Sequence, residues 1–440
     1  MTATPSLRRA LGRWDLTAIG INQVIGAAIF LIPSQVAKPI GNWSPIFFAG
    51  AGVASLLVAL CFAEVSSRFD RTGGPYLYTR QAFGDFLGFE VGWMQWFTRV
   101  SSQASVINGI ALALGLYWPV MRDGAARASM ITALIAVLGY VNYRGIKESA
   151  LIVNVLTVGK LVPLFVFIAI GLFHADWSRL APLPEITVEE ASTAALLLIF
   201  AFGGFDVISV PAGEATNPRR DVPFAFVMTI VAVTIIMGLG QIVTQTVLPD
   251  VAASTTPMAD AAALFMGPLG AAMITIGSVV SMTGNNAGQV LTGSRMLFGI
   301  AENGALPGWF ARVHPEYRTP SNAIWFTSLV ALALALSGSF AMLAVASAVS
   351  RLVTYTGTCA ATLALRRPSF AGRVQPATFV TPGGPLVPVL ATLVSLGILA
   401  GSTRGQLLGG LWALAGGAVL YVAHRVASRY ASAEPPLSSS

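Results

Sequence analysis

The sequence predicts an all-α polytopic membrane protein, and three observations carry that expectation. Of 440 residues, 55% are hydrophobic and only 10% charged, against roughly 25% charged in ordinary soluble domains. Apolar runs of ~20 residues, long enough to cross hydrocarbon, recur along the whole chain. Two of them are interrupted: Ile19–Phe30 reads IGINQVIGAAIF and Ile199–Asp206 reads IFAFGGFD, with glycines and polar residues where an unbroken span would carry Leu or Val. A broken helix leaves main-chain groups unpaired, and hydrocarbon tolerates that only where the break lines a protein-enclosed cavity.

In chain order the runs are expected at about 14–38, 45–66, 84–117, 126–142, 150–173, 188–213, 223–248, 266–299, 320–337, 340–365, 384–401 and 405–424. Spans 1–5 (about 14–173) and 6–10 (about 188–365) can be laid over one another with the breaks in register. That is the pattern of a 5+5 inverted repeat with discontinuous helices 1 and 6, to which helices 11 and 12 (about 384–424) are additional. No composition shift divides the chain, so residues 1–430 are expected to form a single transmembrane domain and 431–440 a disordered tail. The basic N-terminus MTATPSLRRALGRWD has no apolar core followed by a small-residue cleavage site and is expected to be a retained tail. Of the 26 Lys and Arg, eighteen fall on the side of the N-terminus, five on the other side and three within spans. The positive-inside rule then puts both termini in the cytoplasm, in a bacterial-type inner membrane.

Several function classes are disfavoured. The net charge of +7 is spread over short loops, which points to topology rather than to nucleic acid. Cys61 and Cys359 offer no disulfide framework. His174, His314 and His424 all fall in loops or at a span end, so no metal and no membrane-embedded enzyme chemistry is expected. There is no phosphate-binding loop for a primary pump and no filter sequence for a channel. No cofactor and no obligate protein partner is implied.

The breaks themselves suggest a ligand. Ile25, Gly26, Ala27 and Ala28 let the backbone approach a small molecule closely. A half-helix starting near Ala27 offers amides and the positive dipole end to a carboxylate. Gly203 and Gly204 free the carbonyls of about Phe200, Ala201 and Phe202, which suit an ammonium. Amides on one side and carbonyls on the other match an α-amino acid. Glycines in membrane helices also serve close packing alone; two breaks in repeat-equivalent positions favour the site.

The sequence also resembles a family. Trp14-Asp15-Leu16-Thr17 with VIGAAIF, FAFGGFDVISVPAGEATNPRRDVP (Phe200–Pro223), GSRMLFGIAENGALPGWFARVHPEYRTPSNAI (Gly293–Ile324) and TPGGPLVPVLA (Thr381–Ala391) are similar to segments of the amino acid–polyamine–organocation permeases. The resemblance runs over nearly the whole chain. It implies the leucine-transporter fold, secondary transport of amino acids by alternating access, and a gate at Phe200, which matches an aromatic that closes over substrate. The chain departs at span 1, where many members carry Gly-Ser-Gly or Gly-Thr-Gly and this one carries Gly26-Ala27-Ala28.

A charge at the bilayer centre costs ~2.5–3.5 kcal/mol on insertion scales, so each needs a reason. Lys160 resembles the fifth-span lysine that, in sodium-independent members, stands where sodium-coupled relatives bind an ion. Its ammonium is expected to reach carbonyls at the first break and hydroxyls of span 8 at Ser278, Ser281 and Thr283, as a coupling group that either carries protons or replaces sodium as a fixed strut. Arg99 and Arg351, with Asn285, are candidate specificity residues. Each arginine is otherwise explained by an internal network with a partner such as Glu90 or Asp206. Asn285 and Asn286 face either the pathway or a neighbouring helix. Asp206 reads first as a cap for the helix after the second break and then as a ligand. Glu64, Glu214, Arg219, Arg220 and Asp221 are expected to brace loops at the cytoplasmic ends.

The expectation is a sodium-independent carrier of neutral or acidic amino acids, running as a proton symporter or an exchanger. The alternatives are a membrane-embedded amino acid sensor that binds without translocating, and an exchanger of polyamines or cationic amino acids.

Overall fold

A computed structural model describes residues 7–26, 28–115, 118–121, 123–338, 340–400 and 404–433, with no β-strand among them. Fourteen α-helices follow one another: α1 Arg13–Val24, α2 Ala28–Ile40, α3 Ser44–Ser66, α4 Pro75–Phe83, α5 Asp85–Gly115, α6 Gly124–Arg144, α7 Ile146–Phe173, α8 Val188–Ala201, α9 Pro218–Val247, α10 Pro257–Glu302, α11 Ser321–Ser337, α12 Phe340–Ala364, α13 Leu386–Ala400 and α14 Arg404–Ala433. Between α8 and α9 the chain forms a 3-10 stretch, Phe205–Glu214, that departs from helical geometry at Pro211.

Six segments of these described residues are long and apolar enough to cross a membrane by length and composition. The outward face of α7 shows why hydrocarbon suits this bundle. Leu151, Val155, Val158, Val162 and Phe165 recur at helical spacing and each leaves more than half of its surface uncovered. Water would penalise such a stripe; lipid does not. The molecule is an all-helical protein with the character of a polytopic membrane protein.

Interrupted helices occur where the sequence implied them. α1 stops at Val24, Ile25 takes φ −77° and ψ 84°, and the next helix begins at Ala28. α8 stops at Ala201, and Gly204 adopts φ +122° before the 3-10 stretch begins. α10 carries a third irregularity at Gly267, with φ +65° and ψ −161°; its apolar run was expected to start at 266.

Several features differ from expectation, among them the start of α10 at Pro257 rather than 266. α4 is an additional nine-residue helix. It follows Gly73 and Gly74, which both hold positive φ, and carries Pro75 at its first position, a placement that pre-sets helical φ. α9 starts at Pro218 rather than 223, since Pro218 also initiates. α14 extends to Ala433, into the tail expected to be disordered from 431.

The packing gives the site its walls. α1 lies against α7, α9, α10 and the 3-10 stretch; α3 packs on α9, and α2 on α8. α5 packs on α10, α11 and α12, while α13 covers α3 and α12. The main apolar cluster joins Ile19, Val24, Ile25 and Phe30 of the first broken helix to Phe202, Phe205 and Phe226 around the second. A separate cluster under α4 and α5 includes Tyr76, Phe89, Trp96 and Met296.

One close approach is diagnostic. A Cβ placed on Gly299 of α10 would lie 2.9 Å from Gly73 Cα and 3.0 Å from Thr72 O, both backbone atoms that cannot swing aside. Gly299→Ala is expected to cost ~1–3 kcal/mol by overpacking, whereas Gly238→Ala, in α9 with open space around it, is expected to be neutral or to stabilise by up to ~1 kcal/mol. Thermal unfolding of the purified protein in detergent checks both; equal midpoints for the two variants would contradict the tight contact of α10 with residues 72–73.

Candidate functional site

The last turn of any α-helix leaves carbonyls without intrahelical donors, and at the end of α1 side chains of α7 and α10 supply the donors. Lys160 Nζ donates to Ile25 O at 2.6 Å, to Asn22 O at 3.1 Å and to Ser281 O at 3.4 Å. Ser281 Oγ lies 3.0 Å from both Ile25 O and Gly26 O. Asn285 Nδ2 donates to Gln23 O at 3.1 Å and to Asn22 O at 3.4 Å. The carbonyls of residues 22, 23, 25 and 26 are thus all accounted for.

Two side chains of α1 return the contact. Asn22 Nδ2 donates to Gly284 O, and Gln23 Nε2 to Asn285 O at 2.9 Å. Lys160, Asn22, Ser281 and Asn286 are fully buried, with Gln23 and Asn285 nearly so. On the far side of the gap α2 begins at Ala28, so its first-turn amides lack intrahelical acceptors.

The second break touches the first. A Cβ on Gly204 would sit 2.7 Å from Gln23 O, which only glycine allows, and at φ +122° only glycine is unstrained. The Gly204 amide donates to Tyr355 Oη of α12 at 3.2 Å, and the same hydroxyl donates to Asp206 at 3.4 Å. Asp206 also accepts from Gln95 Nε2 at 3.1 Å and from Arg99 Nη2 at 3.4 Å. Tyr355 stacks on Phe205 with ring centroids 5.1 Å apart. Arg99 and Asp206 are a buried ion pair between α5 and the 3-10 stretch, and Arg351 interacts electrostatically with Arg99 and Tyr355.

A second buried pair anchors the other end of that stretch. Arg295 of α10 grips both carboxylate oxygens of Glu214, with Nη2–Oε1 at 3.1 Å. Its Nη1 reaches Asn142 Oδ1 of α6 at 2.8 Å. Farther toward the loops, Arg366 holds Glu64 through two nitrogens, and Glu64 accepts the Thr381 amide at 2.9 Å. Arg219 Nε donates to Ser67 O at 2.9 Å, and Asp221 accepts the Asn217 amide at 3.2 Å.

Against the sequence reading, the structure makes several corrections. The Ser278 hydroxyl donates to Thr275 O of its own helix, and Thr283 to Val279 O, so neither meets Lys160. Lys160 meets carbonyls alone; the Ser281 hydroxyl shares those acceptors instead of contacting the ammonium. The Asp206 carboxylate accepts from the side chains of Gln95, Arg99 and Tyr355 rather than capping amides; it is the acid of the Arg99 cluster. Asn285 faces the first break, while Asn286 Nδ2 bonds back to Met282 O. Ile25, Gly26, Ala28, Ala201, Phe202 and Gly203 lie at the two breaks, with Phe202 fully buried. Ala27 and the side chain of Phe200 lie outside the described residues.

Tyr355, Gln95, Asn22 and Gln23 were not singled out in the sequence. Each is a hydrogen-bonding group inside an apolar helix, the one signal that could have found them. Among the described residues no group of three or more His, Cys, Asp or Glu could hold a metal.

Comparison with known proteins bears on this site. The pattern of the amino acid permease family matches residues 11–422. The chain is 28% identical to a branched-chain amino acid permease of Bacillus subtilis over 411 residues, covering 89% of this chain and 87% of the relative. It is 28% identical to a serine/threonine exchanger of the same organism over 420 residues, 91% and 92% of the two chains. An arginine/ornithine antiporter of Pseudomonas aeruginosa is 29% identical over 329 residues, 71% of this chain and 68% of the relative.

The buried pair is testable without a substrate. Arg295 and Glu214 are both fully inaccessible, and removing one partner of such a pair costs ~3–5 kcal/mol because the other charge is stranded. Arg295→Met and Glu214→Met are each expected to lower the thermal midpoint steeply, and the double variant to regain most of the loss. Single variants as stable as wild type would show that the pair does not hold the stretch.

Proposed function

Because the chain belongs to the amino acid permease family, and is a transporter rather than an enzyme, we propose that it carries amino acids across the cytoplasmic membrane by alternating access around the two breaks. The observation that carries the reading is the contact of Gly204 with Gln23 O, beside carbonyls held by Lys160 and Ser281. One side of that junction has the amides opening α2, which suit a substrate carboxylate; the other has carbonyls closing α8, which suit its ammonium. Twelve spans in a 5+5 inverted repeat, both termini cytoplasmic, are the topology that goes with it.

Lys160 supports a sodium-independent cycle. An ammonium fixed to α7 already neutralises the carbonyls that a bound cation would otherwise serve, so no sodium is required to hold the break. Exchange and proton symport are the two couplings such a site can run. Substrates with a cationic side chain are disfavoured: the Arg99 guanidinium stands beside the second break, paired there with Asp206 at 3.4 Å, and Arg351 is within electrostatic reach of it. That separates this chain from its relative named as an arginine/ornithine antiporter.

Uptake of labelled amino acids into proteoliposomes tests the proposal. Neutral or acidic amino acids are expected to accumulate without a sodium gradient, with or without internal substrate according to coupling. Lys160→Ala, which strands the Ile25 and Asn22 carbonyls, is expected to reduce uptake by about 100-fold or more while the protein still purifies as a single species. Saturable binding with no uptake by wild type would instead support a sensor, and full activity of Lys160→Ala would remove the role given to that ammonium.

A further inference from the structure

One face of α5 holds polar groups that the fold leaves unused. Gln95, Arg99 and Gln103 recur every four residues, so they lie one above another on the same side of the helix. Gln95 is 1% exposed, and Arg99 and Gln103 are 0% exposed. Yet Gln95 Oε1, Arg99 Nε and Nη1, and Gln103 Oε1 and Nε2 make no hydrogen bond to any protein group among the described residues. An unmet buried donor or acceptor costs ~1–3 kcal/mol, more where it is charged. Five on successive turns of one helix face call for a polar partner beyond the groups already bonded there.

The imbalance within the cluster says what charge that is. Asp206 is saturated, accepting from Gln95, Arg99 and Tyr355. Arg99 is not, because only Nη2 is engaged, at 3.4 Å. Its stem runs beside Gly293 of α10, where a Cβ would lie 3.4 Å from Arg99 Cβ. Arg351 also lies within electrostatic reach of Arg99. Tyr355 ties this cluster directly to the Gly204 amide at the second break.

We propose that Gln95, Arg99 and Gln103 line a subsite for the side chain of the transported amino acid, and that Arg99 selects a carboxylate there, making the substrate a dicarboxylic amino acid. The inference rests on the amino acid transport reading and specifies it. In the subsite the substrate's side-chain carboxylate accepts from Arg99 Nε or Nη1 and from Gln103 Nε2, while the unmet oxygens of Gln95 and Gln103 can only accept and take donors other than that carboxylate. Arginine is a suitable residue for the task, since its weakly hydrated, permanently charged fork recognises carboxylates at low desolvation cost.

The test uses full-length wild type in proteoliposomes, with competition of uptake by L-glutamate, L-aspartate, L-glutamine, L-leucine and L-arginine at neutral pH. Glutamate or aspartate is expected to compete at least tenfold better than glutamine or leucine, and arginine not at all. Arg99→Gln is expected to lose that preference by at least tenfold, so that glutamate competes no better than glutamine, and Gln103→Leu to weaken glutamate more than leucine. If Arg99→Gln does not fold, the wild-type ranking and Gln103→Leu decide. A wild type that prefers leucine or serine over glutamate overturns the subsite and leaves amino acid transport standing. If chloride alone gives the thermal stabilisation that glutamate gives, the cluster holds a free inorganic anion and the subsite is likewise overturned. If no amino acid is taken up or bound, the transport reading falls with it.

Discussion

Four backbone carbonyls, at residues 22, 23, 25 and 26, need donors in a place where water is scarce, and the organisation of the site follows from how they are met. A helix that ends within an apolar bundle cannot leave its final carbonyls bare. Lys160, Ser281 and Asn285 meet them from two different helices, so the end of α1 is fastened to α7 and α10 together. The ammonium in turn is tolerable in the interior only because carbonyls surround it. Neither half of this arrangement is stable without the other.

The 3-10 stretch Phe205–Glu214 is held by a different device. Its first and last turns each carry a buried acid, and each acid is paired with an arginine from a neighbouring long helix, Arg99 of α5 and Arg295 of α10. Between them the backbone leaves helical geometry at Pro211, so the stretch has no continuous ladder of its own to keep it straight. Charge pairing in a low-dielectric interior is strong when intact and costly when half broken. A segment held at both ends in this way is fastened to α5 and α10 as a unit.

Much of this was legible in the sequence, for a physical reason. Glycine and amide side chains within apolar runs at 19–30 and 199–206 have no place in a plain span, and both runs are broken in the structure. Lys160 was legible because an ammonium amid LTVGKLVPLF demands acceptors. What could not be read was orientation. Asn285 and Asn286 are adjacent, so they point about 100° apart on α10, and only the packed bundle tells which meets α1. Asp206 looked like a cap because it follows two glycines; its partners Gln95, Arg99 and Tyr355 lie more than one hundred positions away in sequence. α4 was missed since nine residues with three polar side chains give no membrane signal. Its markers were Gly73-Gly74-Pro75, a turn followed by a helix start.

On the proposed reading, the two polar clusters divide the labour of recognition. Lys160, Ser281 and Asn285 act on main chain of α1, and the groups left over at the first break are again main chain. Backbone amides and carbonyls can recognise what every amino acid shares but cannot tell one side chain from another. The second cluster is built from side chains of α5, α12 and the 3-10 stretch, which, unlike main chain, are open to substitution. A family built so can keep its fold while its substrates vary. That fits relatives of 28–29% identity named for branched-chain amino acids, for serine and threonine, and for arginine and ornithine. In this chain the side-chain cluster carries the Arg99 guanidinium, and the Gln23–Gly204 contact joins it to the main-chain cluster. On the proposed reading, closing over the substrate's main-chain ends and reading its side chain are not independent events, because Gly204 takes part in both, through its Cα against Gln23 and its amide on Tyr355.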